Sequence, residues 1–487
     1  MRYPAFVGGS NPVQSWTQDQ ERTVNWYVEE AEVPGAQPRM VLLPTPGVTE
    51  LSTAGAGPGF AHFFENGREF AVLGDTFYEI DSIGTLTSRG TVAIGSTPAT
   101  ISSNGANGGE LFITAGNNGY LFTLATNAFA LVRTGGSRMG AMLNGYFLAL
   151  NDTDNKIEIS DLNDGATWDA ERFISRSVAS DPWVSMVVAN RYIYALGSQT
   201  AEVWYDQGTQ PVPFAFHPSG LIPYGCAAPF STSEAEGTVY WLVSTEQGAG
   251  SVMRVNGFSP AVISSQAVAR VFEKFSTVED AIGDTYEEDG HDFYMLSLPT
   301  EQETWAWDKK TGNWAERGTW IAEDMQFVDW RPRFHAYAFG EHRMLDGSTG
   351  AVYRMANSLT SDVDSRPIRR VRRAPALSYD RERLYYSAFE LDLDRGLGTS
   401  TGQGVNPQVG LRASNDGGRT FGAERFASAG KIGEYQQRVR WNRLGMARRR
   451  VFEISVTDPI PWRIVDAYLT MTNMPQGIRQ PPGGPNG

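Results

Sequence analysis

The stretch Phe70-Ala71-Val72-Leu73-Gly74-Asp75-Thr76-Phe77-Tyr78-Glu79-Ile80 decides how this chain folds. Two short runs of aromatic and β-branched residues flank a Gly-Asp turn, the signature of a β-hairpin. The same unit returns at 111–114 and 120–122 around Gly116-Asn117-Asn118-Gly119, and at 192–196 and 201–205 around Gly197-Ser198. Copies begin near Arg68, Gly108, Asn144, Asn190, Gly237, Gly290 and His335, at spacings of 40, 36, 46, 47, 53 and 45 residues. A strand-only repeat of about 40–50 residues predicts a β-propeller, a ring of four-stranded sheets around a central channel. Helical periodicity is nearly absent, and 268–275 is the best short helix candidate. A propeller is a platform, so function has to come from its sites.

Around that repeat the chain divides into an all-β protein of several parts. Residues 1–40 carry Pro4, Pro12, Pro34 and Pro38 and read as an extended arm lying on another surface. Residues 41–356 form the propeller, with about seven blades. Residues 357–376, where Arg366, Arg369, Arg370, Arg372 and Arg373 crowd around Pro367 and Pro375, read as a basic linker or an exposed basic strand. Residues 377–475 read as a C-terminal β-sandwich-like domain, with strands expected at 384–393, 408–413, 436–444, 450–456 and 462–471. The Pro/Gly-rich residues 476–487 read as a flexible tail.

Composition narrows the function classes. Residues 365–487 hold 20 Lys+Arg against 11 Asp+Glu, a balance of +9; the whole chain is −14, which leaves −23 on residues 1–364. An acidic body with a basic end suggests two surfaces for different partners, and the acidic body argues against a propeller that grips nucleic acid. No apolar run of 18 residues is present, so no membrane span is expected. The N-terminus lacks a signal-peptide apolar region, which points to synthesis in a cytosol. A single cysteine, Cys226, excludes an intrachain disulfide and a cysteine metal cluster.

Few motifs carry chemistry. Ser414, Asp416, Gly418, Thr420 and Phe421 fit the Asp-box pattern, in which the carboxylate caps a tight hairpin turn; the expected role is structural. The segment 161–168 is a degenerate second copy. The carboxylates Asp289 with Asp292, or Glu287 with Glu288, are formal candidates for glycoside hydrolysis, but a solvated acidic turn explains them better. His62, His217, His291, His335 and His342 are scattered, without zinc-ligand spacing, and no phosphate-binding glycine motif occurs. No catalytic residue, cofactor or metal is therefore assigned. The strongest charged feature is Arg438, Arg440 and Arg443 followed by Arg448, Arg449 and Arg450. With Arg369, Arg370, Arg372 and Arg373 these are candidate interface or phosphate-contact residues, since arginine suits fixed contacts with carboxylates and phosphates.

Several stretches together resemble the packaged-DNA-stabilisation, or tail hub, proteins of short-tailed bacteriophages. They are Thr23-Val24-Asn25-Trp26-Tyr27-Val28-Glu29 followed by Pro46-Gly47-Val48-Thr49, then Leu196-Gly197-Ser198-Gln199-Thr200-Ala201-Glu202-Val203-Trp204, then 411–422 and 439–449. The resemblance covers nearly the whole chain. It implies a structural virion protein of the phage tail, assembled in the host cytoplasm, and no enzyme. By resemblance it forms a homo-hexameric ring beneath the portal and its tail adaptor, closes the channel, retains packaged DNA, anchors tailspikes or fibres and a needle or plug protein, and passes double-stranded DNA at ejection. The acidic body would then repel phosphate along the DNA path. The alternative reading is a propeller glycoside hydrolase or a carbohydrate-binding propeller.

Overall fold

The computed structural model describes residues 1–13, 20–32, 40–55, 57–245, 248–378 and 382–473; the expected tail at 476–487 lies outside them. Seven sheets form a propeller. Blade 1 has the strands Gly59–Glu65, Arg68–Leu73, Thr76–Ile80 and Leu86–Thr91, each paired antiparallel with the next. Blades 2 to 6 follow in chain order at 100–133, 139–175, 183–222, 225–262 and 282–317. Blade 7 takes three strands, Pro332–Ala338, Glu341–Asp346 and Ala351–Ala356, and completes itself with Gly47–Thr53 from the start of the chain.

Local chemistry explains these hairpins. At Asn66-Gly67 and Asn144-Gly145 both turn residues have positive φ (50° and 78°; 52° and 87°), the twist that fits a two-residue turn between right-twisted strands. Second strands are buried on both faces, as in Phe70–Leu73 and Phe147–Leu150, so they read as continuous apolar runs. The expected helix is a short one, Gln266–Phe272, capped by the Ser265 side chain.

The second domain is a β-sandwich. One sheet orders the strands Trp26–Glu30, Met40–Pro44, Ile464–Asn473, Leu384–Leu393 and Val439–Ala447. The other contains Arg370–Arg373, Arg449–Val456, Gln408–Ser414 and Arg425–Ser428. Between them lies a core that includes Phe389, Phe452, Trp462 and, from the N-terminus, Tyr3 and Phe6. The Tyr3 ring meets those of Phe6, Phe389 and Phe452 edge-on at 5.6–6.3 Å.

The N-terminal segment departs from the expected arm. Within the described part of residues 1–40, Tyr3 and Phe6 enter the sandwich core, Trp26–Glu30 is one of its strands, and Arg22–Val24 joins the two domains. Arg22–Val24 pairs in parallel with the outer strand of blade 6, Trp314–Arg317, and antiparallel with Arg370–Arg373. One ten-stranded sheet therefore runs from blade 6 into the sandwich. Residues 370–373 are accordingly neither linker nor exposed strand: Arg370 and Arg372 are 2% and 0% exposed. Met40–Pro44, expected in the propeller, also belongs to the sandwich, and the propeller begins at Gly47.

Blade 7 is stapled to blade 1 by buried charge. Arg343 and Glu69 form a fully buried ion pair at 2.5 Å. The Arg343 guanidinium also donates to the Asp81 and Ser82 carbonyls at 3.0 and 2.7 Å. The second Glu69 oxygen meets His62 Nε2 at 2.7 Å, and His62 Nδ1 meets the Phe334 carbonyl of blade 7 at 2.8 Å. Removing one partner of such a pair leaves an unpaired buried charge, at a cost of about 3–5 kcal/mol. Arg343→Met should lower the unfolding midpoint and open blade 7 first, read as new protease cleavage within 332–356.

Candidate assembly surfaces

The ten candidate arginines separate into two groups. Those in the first group hold the protein together. Arg372 donates to the Phe6, Gly9 and Ala5 carbonyls at 2.6, 2.9 and 3.0 Å, to Thr23 Oγ1 at 2.8 Å, and pairs with Glu21. Arg370 donates to the Thr45 carbonyl at 3.3 Å. Arg373 pairs with buried Glu453 at 2.8 Å, and Arg369 with Glu424 at 3.1 Å. Arg450, 3% exposed, donates to Asn415 Oδ1 at 2.9 Å and to the Leu444 and Met446 carbonyls at 2.6 and 3.4 Å. Arg370, Arg372 and Arg450 are thus corrected from surface contacts to internal staples; a guanidinium stays charged when buried, so it must spend its donors on the chain.

The second group is on the surface. Val439 and Trp441 are buried while Arg440 and Asn442 face out, the alternation of an edge strand. Arg438 forks onto Glu390 at 2.8 and 2.6 Å, lowering that carboxyl through the hydrogen bonds it makes. Arg440 lies across from the same Glu390. Arg443 and Arg448 are exposed and Arg449 is half-buried. The strand itself is closed to further pairing. The Asn442 carbonyl is taken by Arg425 at 2.9 Å, and the Leu444 and Met446 carbonyls by Arg450. Arg443 sits at a positive φ of 57°. A capped, kinked edge resists strand addition, so this edge meets a partner through side chains.

The Asp-box turn is built locally. Asp416 accepts the Arg419 and Thr420 amides at 3.0 Å each and the Thr420 hydroxyl at 2.5 Å, while Ser414 Oγ donates to it at 2.6 Å. These bonds, led by Ser414, hold its carboxyl far below the ordinary range. Gly418 has φ 99°, and its amide donates to Ser414 Oγ at 2.8 Å. The Phe421 ring meets the guanidiniums of Arg373 and Arg412, each 4.8 Å from its centroid. The degenerate copy also forms a turn, with Asp164 accepting the Ala166 amide and the Thr167 hydroxyl at 2.9 Å.

Three of the four carboxylates considered for glycoside hydrolysis are engaged. Asp292 pairs with Lys309 at 2.8 Å, Glu288 with His342 at 2.9 Å, and Asp289 accepts from Asn357 at 2.6 Å. Glu236, Glu287 and Asp292 bring oxygens within 4.8 Å of one another, with the Lys309 ammonium between Glu236 and Asp292 at 2.6 and 2.8 Å. The propeller channel has a cavity of about 940 Å³ whose wall carries Arg138 and Arg333 as well as Glu279 and Asp280, so the channel of each propeller is not uniformly acidic.

Sequence reasoning left the histidines scattered, yet four of the five sit at seams. His62 is in the blade 1–7 seam. His335 and His342, 2.9 Å apart, lie between blades 6 and 7, where Asp284 accepts the His335 amide at 2.7 Å. Burial pushes Asp284 up to about 6 and His335 down to about 3. His291 lies at the domain joint, between Asp308 at 2.9 Å and Glu29 of the sandwich at 2.5 Å. Little signal was available: His62 and His335 lie mid-strand, and the Glu29 and Glu288 carboxylates that meet His291 and His342 are brought near only by the fold.

These two domains are the two halves of a known family. Residues 16–360 match the family model described as bacteriophage P22 Gp10, beta-propeller, and residues 369–472 the one described as bacteriophage P22 Gp10, beta-sandwich. The chain belongs to this phage DNA-stabilisation family. It is a structural component of a virion, which assembles with other virion proteins, and not an enzyme. No curated protein matches the chain at a significant level. Solved structures similar to it include the N-terminal domain of Nup159 (12% identity, TM-score 0.40, covering 69% of this chain and 98% of that one). Another is a catalytically inactive virginiamycin B lyase from Staphylococcus aureus with quinupristin (9% identity, TM-score 0.41, 68% and 99%). A third is the computationally designed Ika8 protein (8%, 0.37, 72% and 100%). At these scores the likeness decides nothing further.

The joint has a pH dependence with a definite sign. Burial opposes charge on His291, but the Asp308 and Glu29 bonds outweigh it and raise its pKa. That contribution is full below the ordinary histidine value of about 6.5 and fades as pH rises through the folded value. Burial also opposes charge on Glu29, but His291 and Lys310 outweigh it and lower its pKa. Its contribution is present above about 4.5 and fades as pH falls. Amide exchange in Trp26–Glu30 should be slowest between about pH 4.5 and 6.5, after correction for intrinsic rates, and His291→Gln should flatten that profile on its alkaline side.

Proposed function

We propose that this protein is the hub of a phage tail. In this reading a ring of six copies sits below the portal and its adaptor, closes the channel after packaging, retains the DNA, carries tailspikes or fibres and a needle or plug, and forms part of the path by which DNA leaves. The observation that carries the reading is a two-domain body joined by one continuous sheet, with a capped arginine edge facing outward. Membership of the DNA-stabilisation family supports it. A hub must bear the pressure of packaged DNA without hinging, and a sheet shared between domains removes the hinge. The protein would assemble in the host cytoplasm and remain in the virion tail. No observation favours the hydrolase or carbohydrate-binding reading.

The test is light scattering with negative-stain imaging of the full chain, alone and mixed with the portal, adaptor and other tail proteins. A ring, or a monomer that joins a ring on the adaptor, is expected; a monomer that ignores every tail protein refutes the hub. Arg440→Glu with Arg443→Glu should abolish incorporation while the melting midpoint of the isolated chain stays within about 1 °C, since both are exposed surface positions.

In the same reading, the acidic hairpin ends of blades 5 and 6 face the DNA path and keep phosphates from sticking. Lysines at Glu236, Glu287 and Asp292 should slow ejection in a salt-dependent manner, measured by dye-labelled DNA leaving single particles. Ejection at the wild-type rate at all salt concentrations would exclude this face as the lining.

A further inference from the structure

Two arginines meet where the propeller joins the sandwich, and the charge around them does not balance. Arg317, on the outer strand of blade 6, and Arg370, on the strand that continues that sheet, are 3% and 2% exposed. Arg317 donates to Tyr286 Oη at 2.9 Å and to the Pro46 carbonyl at 3.0 Å, and stacks on Trp330 with its guanidinium carbon 3.8 Å from the ring centroid. Arg370 donates to the Thr45 carbonyl. Neither makes an ion pair among the described residues. The carboxylate that acts on both is Asp362, whose own charge is disfavoured by burial and which accepts the Trp330 indole N–H at 3.0 Å. Burial first, then the Arg317 charge, push Arg370 down to about 9, so it still carries its proton at neutral pH. Two buried guanidiniums thus share Asp362, while Asp308, the other carboxylate near Arg317, is paired with His291; a buried charge requires a counter-charge.

An enclosed cavity lies beside them, lined by Trp26, Thr45 and Arg317 among others. The centre of a water-sized sphere can move through about 10 Å³ of it, room for one water or one small anion. Trp26 is 1% exposed, and its indole N–H has no acceptor; the Nε–H groups of Arg317 and Arg370 have none either. Asp308, also in the wall, is already engaged by His291 at 2.9 Å and the Thr311 hydroxyl at 2.6 Å. Two residues of the wall, Trp26 and Arg317, thus carry buried donors without an acceptor, and Arg370 lies 5.9 Å from the Trp26 ring centroid; the donors call for a lone-pair ligand, and the charge balance calls for a negative one.

We propose that this cavity binds one small monovalent anion of halide size, held by Trp26 and Arg317, with Arg370 supplying the charge that it neutralises. The anion is a weld between blade 6 and the sandwich, and the stability of the joint depends on anion identity beyond ionic strength. The site is independent of the hub reading and stands or falls alone.

The experiment melts the full chain in sodium chloride or bromide against sodium gluconate at equal ionic strength, and collects bromide anomalous diffraction from crystals of the wild type. Halide should raise the midpoint saturably, by about 2 °C or more, and bromide should appear in the cavity. Trp26→Phe removes one donor to a charged ligand and should weaken half-saturation roughly tenfold; Arg370→Met should abolish the halide effect. Equal midpoints in halide and gluconate, or a water with no anomalous signal at the site, overturn the proposal. Should either variant fail to fold, the two wild-type measurements decide.

Discussion

A ring of blades must be closed by joining its last sheet to its first, and here the closing strand comes from the beginning of the chain. Gly47–Thr53 completes blade 7, and the strand just before it, Met40–Pro44, lies in the sandwich. Only Thr45 and Pro46 separate the two, and their carbonyls are held by Arg370 and Arg317. Closing the propeller and placing the sandwich are therefore one event: the chain cannot pair its closing strand without bringing the sandwich edge to blade 6. Arg22–Val24, hydrogen-bonded on one side to blade 6 and on the other to Arg370–Arg373, repeats the constraint by a second route.

Much of the positive charge of the sandwich serves that construction. Counted along the sequence, residues 365–487 are strongly basic, yet Arg370, Arg372 and Arg450 are buried, and Arg373 and Arg412 share Glu453 and the Phe421 ring. The field outside the domain is consequently weaker and more localised than the net charge suggests. Of the candidate arginines, Arg440 and Arg443 face solvent on an edge that arginine side chains have closed to strand addition. A partner that reads these side chains has to do so through carboxylates or phosphates presented at fixed positions, because guanidinium geometry rewards planar, two-point contacts.

How much of this was legible follows from contact range. The blade hairpins are local: Phe70–Ile80 contains both strands and the turn, so its alternation and its Gly-Asp turn sufficed. Leu384–Leu393 was equally clear, as ten residues of strand character ending before Asp394. The N-terminal segment was not, because its partners are remote; Arg22 pairs with Arg373 and Tyr3 packs on Phe452, and nothing in residues 1–40 names either. The arginines at 366–373 looked like surface because five arginines in eight residues ordinarily need water. The burial of Arg370 and Arg372 depends on acceptors supplied by residues 5–45. Arg343 and Glu69 carried a readable signal in retrospect, since each stands directly before the apolar residues of a strand that is the second of its blade.

The buried charges explain why these particular sheets meet. Each blade presents its neighbour with much the same apolar surface, and apolar packing tolerates exchange between partners of similar size. At the seam that closes the ring the apolar cluster is small, with Ala54, Ala71, Leu73, Ile80, Leu345 and Val352. Beside it Arg343 finds Glu69 and two carbonyls of blade 1, and His62 finds blade 7. A different blade in that place would leave a guanidinium and a carboxylate buried without partners, a penalty far larger than any difference in apolar fit. Apolar burial supplies the driving force for every seam alike, and the charged seam fixes which two blades form the last one.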